Sequence, residues 1–167
     1  MHSLTASGGS DKVKYFAGFG YVKQDALYGD TRTNKSTSGF NRYNARVNID
    51  ANIVDKYLNL SADMAYRQED RNSIAGSTSD VFNNMHRNPQ TDPGRFPDGN
   101  LGKVSLGVNP IGLATEGGWV KDRKSVLNTR FMLDFNVPGL EGLNLKGIFS
   151  YDKIFNSIKR WTTPVDF

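Results

Sequence analysis

From Asn41 to Val54 every second side chain is apolar. Tyr43, Ala45, Val47, Ile49, Ala51 and Ile53 fall on one side of an extended chain, and Arg42, Asn44, Arg46, Asn48, Asp50 and Asn52 on the other. Side chains of a β-strand alternate between the faces of its sheet, so the pattern describes a strand with one side suited to an apolar medium and one to water. Three later segments repeat it. Leu58, Leu60, Ala62, Met64 and Tyr66 alternate with Asn59, Ser61, Asp63 and Arg67. Leu127, Thr129, Phe131, Leu133, Phe135 and Val137 alternate with Asn128, Arg130, Asp134 and Asn136. Leu143, Leu145, Gly147, Phe149, Tyr151 and Phe155 stand opposite Asn144, Lys146, Ser150 and Asp152.

The length of these runs carries more information than the alternation. Strands of soluble sheets average about five or six residues, whereas a tilted strand that crosses a bilayer needs roughly nine to eleven. The runs here reach the longer class, which points to an all-β, antiparallel transmembrane β-barrel segment. A mean hydropathy of -0.54 does not oppose this, because only alternate strand residues of a barrel must face lipid. No stretch approaches the roughly 18 apolar residues of a membrane helix, so crossing by helices is excluded.

Connections between the runs follow a rhythm. A first strand, His2 to Ser7, ends in Gly8-Gly9-Ser10-Asp11, a cluster suited to a tight turn. A second, from Lys12 to Gln24, sets Val13, Tyr15, Ala17, Phe19 and Tyr21 against Lys14, Phe16, Gly18, Gly20 and Val22. Glycines inside a strand weaken it, so Gly18 and Gly20 mark a close approach by a bulky neighbour, such as a plug inside a barrel. Residues 25–40 read as a long loop, Asp55-Lys56 as a short turn, residues 69–125 as a second long loop, and Pro138 to Gly142 as a third short turn. That makes about six long strands with short and long connections in alternation. Outer-membrane barrels keep short turns on the periplasmic side and long loops outside, so the rhythm implies an orientation. Tyr21, Tyr43 and Tyr66 then fall at the outer strand ends on the apolar side, where an aromatic girdle belongs.

The 69–125 loop is expected to be ordered. Ser79 to His86 can form a short helix with Ser79 as its cap and Phe82 and Met85 on one side. Turns follow at Asn88-Pro89, Asp92-Pro93-Gly94, Pro97-Asp98-Gly99 and Asn109-Pro110, with Phe96, Leu101, Val104, Leu106, Ile111 and Leu113 available to pack.

Six strands alone leave two bare edges, which a bilayer cannot satisfy, so the chain is expected to be a piece of a larger barrel. The first residues lack the basic and apolar regions of an export signal, which would have to lie upstream. Cysteine is absent, which removes disulfides, thiolate metal sites and a cysteine nucleophile. The net charge of +4 is scattered among Asp and Asn on the polar sides. No nucleic-acid partner is expected without a clustered basic footprint, while anionic lipid headgroups or acidic solutes suit the charge as well.

Several segments, taken together, carry a resemblance. Ser7-Gly8-Gly9 with Val13-Lys14-Tyr15-Phe16-Ala17-Gly18-Phe19-Gly20-Tyr21-Val22-Lys23-Gln24 resembles the opening barrel strands of SusC-like (SusC/RagA) TonB-dependent transporters. Phe40-Asn41-Arg42-Tyr43-Asn44-Ala45-Arg46-Val47-Asn48-Ile49-Asp50 is similar to that family's Arg-x-x-x-Arg-x-Asn-hydrophobic-Asp strand. Pro93 to Asn100 with Asn109-Pro110-Ile111 resembles its proline-rich extracellular loop, and Gly142-Leu143-Asn144-Leu145-Lys146-Gly147 with Ser150-Tyr151-Asp152 another of its strands. One departure is Asp25-Ala26, where relatives often carry glycine. The resemblance implies a barrel of about 22 strands, the size class with a plugged lumen. It further implies energised import of nutrient oligosaccharides or peptides across the cell outer membrane, with a SusD-like surface lipoprotein and TonB as partners. The signal peptide, plug domain and remaining strands of such a protein are not in residues 1–167, which correspond to a partial TonB-dependent receptor β-barrel domain.

Candidate sites concern binding rather than catalysis. His2 and His86 have no second ligand at a metal-like spacing, and no Gly-x-Ser-x-Gly elbow or phosphate loop is present, so no enzyme, cofactor or metal is expected. Asp92, Asp98 and Asn100 read as turn caps rather than calcium ligands. Phe96, Trp119 and Trp161 fall in segments assigned to the outside, where they could contact extracellular cargo or a partner. Arg42, Arg46 and Asp50 read as a lumen-facing charge ladder that anchors a plug. The alternative reading is a soluble all-β carbohydrate-binding or adhesion module.

Overall fold

The computed structural model describes residues 1–26, 38–140 and 142–164. Six strands form one antiparallel sheet in sequence order: β1 (His2–Gly9), β2 (Val13–Asp25), β3 (Gly39–Val54), β4 (Leu58–Ile74), β5 (Gly118–Asn136) and β6 (Asn144–Thr162). The sheet is not closed, since β1 and β6 each have one neighbour. Two helices, α1 (Thr78–Arg87) and α2 (Pro110–Thr115), interrupt the connection between β4 and β5. The chain divides into two compact units.

The first unit comprises 1–22, 41–69 and 124–156, and it holds all three short turns. β1 pairs with β2 from His2 opposite Tyr21 to Gly9 opposite Lys14, so β1 runs two residues beyond the expected Ser7. The turn proper is Ser10 to Lys12. There Ser10 Oγ accepts from the backbone N–H groups of Lys12 (3.4 Å) and Val13 (3.3 Å), which replaces the ladder bonds lost at the reversal. At the second turn Lys56 adopts φ +70°, a left-handed conformation uncommon for a residue with a Cβ. The bond from Tyr57 N to Val54 O (2.9 Å) and that from Asn136 Nδ2 to Lys56 O (2.8 Å) hold it there. The third turn closes through Val137 N to Leu143 O (3.1 Å).

Burial in this unit is inverted relative to a water-soluble fold. Val47 is 40% exposed, Leu133 43% and Phe149 63%, and Tyr15, Phe19, Ile49, Met64 and Leu145 are exposed as well. All stand on the apolar side of their strands. Soluble chains rarely leave a contiguous apolar surface of this extent open to water. On β2 the stripe runs from Val13 to Tyr21 and on β3 from Tyr43 to Ile53, nine and eleven residues. At about 3.3 Å per residue and a tilt of about 40°, such runs rise roughly 20 to 25 Å, the height of a barrel's lipid band.

The second unit comprises 23–40, 70–123 and 157–167 and has a small core of its own. Ile74, Val81 and Ala114 are buried, with Leu113 packed against them. α1 is capped by Ser77, whose side chain accepts from Ser79 N, and not by Ser79 as the sequence suggests. The shift also changes the inner face: Val81 is the buried residue of α1, while Phe82 and Met85 are exposed. α2 is absent from the sequence reading, which treated Asn109-Pro110 as a turn. Asn109 is its N-cap and Pro110 its first residue, a combination that favours helix initiation.

The long connections are shorter than the sequence suggests. β4 runs to Ile74 and β5 starts at Gly118, so residues 69–74 and 118–125 of the expected 69–125 loop are strand. Ala75 N still bonds Gly118 O at 3.2 Å. Past Tyr66 the strand is polar on both sides (Arg67, Gln68, Glu69, Asp70, Arg71, Asn72), which hides it from a search for apolar alternation, although ladder hydrogen bonds need no apolar side chains. Of the expected 25–40 loop, Asp25, Gly39 and Phe40 belong to strands, and 27–37 lie outside the described residues.

Candidate functional site

On the polar side of β3 to β6 the side chains form a ladder of separate bonded groups. Glu69 accepts from Arg42 (3.0 Å) and lies 3.5 Å from Arg67. Arg46 Nε donates to Asn48 Oδ1 at 3.0 Å, and Asn48 Nδ2 donates in turn to Asp63. The other oxygen of Asp63 accepts two bonds from Arg130, through Nε (3.1 Å) and Nη2 (2.6 Å). Asn128 donates to Asp152 at 2.7 Å, and Asp134 accepts from Asn144 at 2.6 Å and pairs with Lys146 at 3.1 Å. Each carboxylate bridges neighbouring strands or neighbouring positions, so the polar side is crosslinked by charge-assisted bonds as well as by the backbone ladder.

Two open recesses lie on this side. One, of about 290 Å³, is lined by Arg46, Asp63, Asn128, Arg130, Ser150 and Asp152. The other, of about 330 Å³, brings Asp50 together with Lys14, Asn52, Asn59 and Ser61. Arg42, Arg46 and Asp50, singled out from the sequence, therefore share one side, with Arg42 and Arg46 in hydrogen-bonded pairs and Asp50 in the second recess. The ladder partners Asp63 and Arg130 were not singled out as site residues although their spacing within the strands marked their side, and Glu69 falls in the expected 69–125 loop, where strand spacing gave no signal.

Gly18 and Gly20 lie on the polar side of β2. A Cβ at Gly18 would sit 3.2 Å from the ring of Phe16, two residues earlier on the same side, and one at Gly20 would sit 3.7 Å from Asn44 Nδ2 on β3. The crowding that the sequence suggested is supplied here by the sheet itself. Β6 departs from strict polarity, with Ile148 and Ile154 exposed on the side of Lys146 and Asp152.

On the other side, the tyrosines mark a margin. Tyr21 stacks on Tyr43 with ring centroids 5.0 Å apart. The Tyr21 hydroxyl donates to Asn41 (3.2 Å), and the Tyr66 hydroxyl reaches Gln68 (2.9 Å) and Ser125 (3.2 Å). Tyr21 and Tyr66 thus have their rings on the apolar side and their hydroxyls among polar groups, the arrangement an amphipathic ring adopts at a boundary.

In the second unit a single buried side chain organises the loop. Asn109 has no exposed surface. Its Nδ2 donates to Gly94 O (2.7 Å) and Gly102 O (2.8 Å), and its Oδ1 accepts from Ile111 N (2.9 Å) and Gly112 N (3.3 Å). Asp98 accepts from Asn100 N and Nδ2 and so caps its turn, whereas Asp92, expected to cap a turn, accepts from Ser105 N and Oγ thirteen residues on and ties two parts of the loop together. Arg95 ties the loop to α2 through Gly99 O (2.5 Å), Thr115 Oγ1 (3.2 Å) and Glu116 (2.6 Å). Among the described residues no group of His, Asp and Glu is placed to hold a metal ion.

Phe96 sits in the tight loop closed by the bridge between Arg95 and Leu101 and is 42% exposed. Trp119 is a strand residue of β5 rather than part of the expected 69–125 loop, and Trp161 is a strand residue of β6. Their register follows from the strand ends. Val137 N bonds Leu143 O and Thr163 N bonds Gly117 O, and each pair sums to 280. With β5 and β6 both 19 residues long, the pairing runs without a bulge, and Trp119 stands opposite Trp161. The approach is close: Gly118 has φ +103°, and a Cβ there would strike Trp161 O.

Set against models of protein families and against curated proteins, the chain matches none.

Proposed function

We propose that this chain is part of the β-barrel of a TonB-dependent, SusC-like outer-membrane transporter that imports nutrient oligosaccharides or peptides. The observation that carries the reading is the two-sided sheet: an exposed apolar stripe of bilayer-crossing length on one side and a hydrogen-bonded charge ladder on the other. The two open edges, β1 and β6, support a larger barrel, of about 22 strands in the size class whose lumen is plugged. In this reading the stripe meets lipid, Tyr21, Tyr43 and Tyr66 form the outer girdle, and the short turns face the periplasm. Arg42, Arg46 and Asp50, with Asp63 and Arg130, hold the plug through which TonB acts. Phe96 and the helical excursion between β4 and β5 are presented to cargo or to a SusD-like lipoprotein. A soluble carbohydrate-binding module would need a second layer over the stripe, and the six strands lie in one sheet.

The test is made on the source organism. Unboiled and boiled outer-membrane fractions are probed with antibody to this segment, and uptake of labelled oligosaccharides and peptides is compared with and without the gene and a proton-gradient uncoupler. The reading expects a heat-modifiable band several times heavier than 18.6 kDa and uptake lost on deletion and on uncoupling. A soluble band at the chain's own mass, or uptake of every cargo unaffected by deletion, would overturn it.

A further inference from the structure

The register of β5 and β6 places more than tryptophans opposite one another. Two residues in from the Trp119–Trp161 pair, the same sum of 280 sets Lys121 directly opposite Lys159, and both lysines are exposed. Like charges facing each other across neighbouring strands destabilise a sheet. Among the described residues neither lysine belongs to an ion pair. The nearest cation along β5, Arg123, is already bonded to Asp70 at 2.6 Å. Lys121 Nζ lies 4.6 Å over the Trp119 ring, which pins its ammonium beside the aromatic surface. The result is a two-strand platform in which two lysine positions in register lie next to two tryptophan positions in register, all within the second unit.

Along each strand these four residues hold odd-numbered positions, so within the second unit they share one side of the β5–β6 pair. Two ammonium groups in register match a phosphate, and indole faces match the apolar faces of a sugar ring. Anionic lipid surfaces draw basic side chains close to a membrane, and tryptophan concentrates at its interface.

We infer that Trp119, Lys121, Lys159 and Trp161 form a binding site for a phosphorylated sugar headgroup, that of a glycolipid in the outer leaflet around the barrel. The inference rests on the transporter reading, because only a membrane protein presents this side to a leaflet. The site relieves the Lys121–Lys159 repulsion and anchors the outer ends of β5 and β6 to the lipid annulus.

The experiment uses the native protein extracted from its own outer membrane in mild detergent, as wild type, K121Q/K159Q and K121R/K159R. Bound lipopolysaccharide per protein is counted by native mass spectrometry, and each preparation is run boiled and unboiled to check assembly. With two charge-assisted contacts removed, the glutamine pair is expected to lose about tenfold or more in occupancy, and the arginine pair to retain the lipid. Equal occupancy in all three heat-modifiable proteins overturns the site. Lysine-dependent binding of free glucose 1-phosphate by lipid-stripped protein, at the affinity of the glycolipid, overturns the membrane source. A wild-type protein that shows no heat-modifiable membrane form overturns the transporter reading itself, a result separate from any loss of lipid.

Discussion

The two units of this chain reach order by opposite means. In the unit of short turns, large apolar side chains such as Val47, Leu133 and Phe149 are exposed, and the polar side chains are linked to one another from β3 to β6. In the unit that carries α1 and α2, apolar side chains such as Ile74 and Val81 are buried, and one polar side chain, Asn109, lies at the centre. The first exposes apolar side chains on one side of a sheet and links polar ones on the other. The second is a small water-type fold whose backbone groups are satisfied by asparagine and aspartate because its core is too small to order 88–109 by burial alone. The contrast shows that an apolar residue's worth here depends on which unit holds it.

The sharpest way to break the comparison is a charge on the apolar side. On the proposed barrel reading, Val47→Arg, or Leu133→Arg, should cost about 2 to 4 kcal/mol and block the heat-modifiable form, since a cation at mid-strand would then face lipid. If either variant assembled normally while Arg46→Ala failed, the two sides would have to be exchanged.

The corresponding cut in the other unit is Asn109→Ala. It removes a cap and leaves the carbonyls of Gly94 and Gly102 without their donor, so local stability should fall by about 2 to 3 kcal/mol. Amide exchange of residues 94–112 should quicken while β3 and β5 keep their protection. Ser77→Ala, which loses only the α1 cap, should cost about 1 kcal/mol and quicken exchange in the first turn of α1 alone. Smallest of all, Lys146→Gln removes an exposed pair with Asp134 and should leave the denaturation midpoint nearly unchanged, any small difference vanishing at high salt.

The same contrast explains how much could be read from the residues alone. Alternation located five of the six strands to within a few residues over the stretch where one side is apolar, and the turns at Asp55-Lys56 and Pro138 to Gly142 followed. The reading failed where the medium stops imposing a pattern. The extensions of β4 to Ile74, of β5 back to Gly118 and of β6 to Thr162 are held by backbone pairing, to which polar sequence is neutral. Trp119 falls in the expected 69–125 loop for that reason. Asn109 was visible only as half of an Asn-Pro turn signal: its bonds to Ile111 N and Gly112 N are the local signature of a helix cap, but those to Gly94 O and Gly102 O, up to 15 residues away, have none. Of the lumen-side candidates, Arg42 and Arg46 were legible from strand parity, but their partners depend on register between strands, which parity along one strand does not contain.

The most direct measurement uses the absence of cysteine from this chain. Single cysteines are placed in the native protein at consecutive β3 positions, Arg46, Val47, Asn48 and Ile49, and labelled with an environment-sensitive dye in vesicles of phosphatidylcholine or its brominated form. The account predicts quenching by brominated lipid at Val47 and Ile49 and none at Arg46 and Asn48. Quenching at the even positions, or at none of the four, would contradict it.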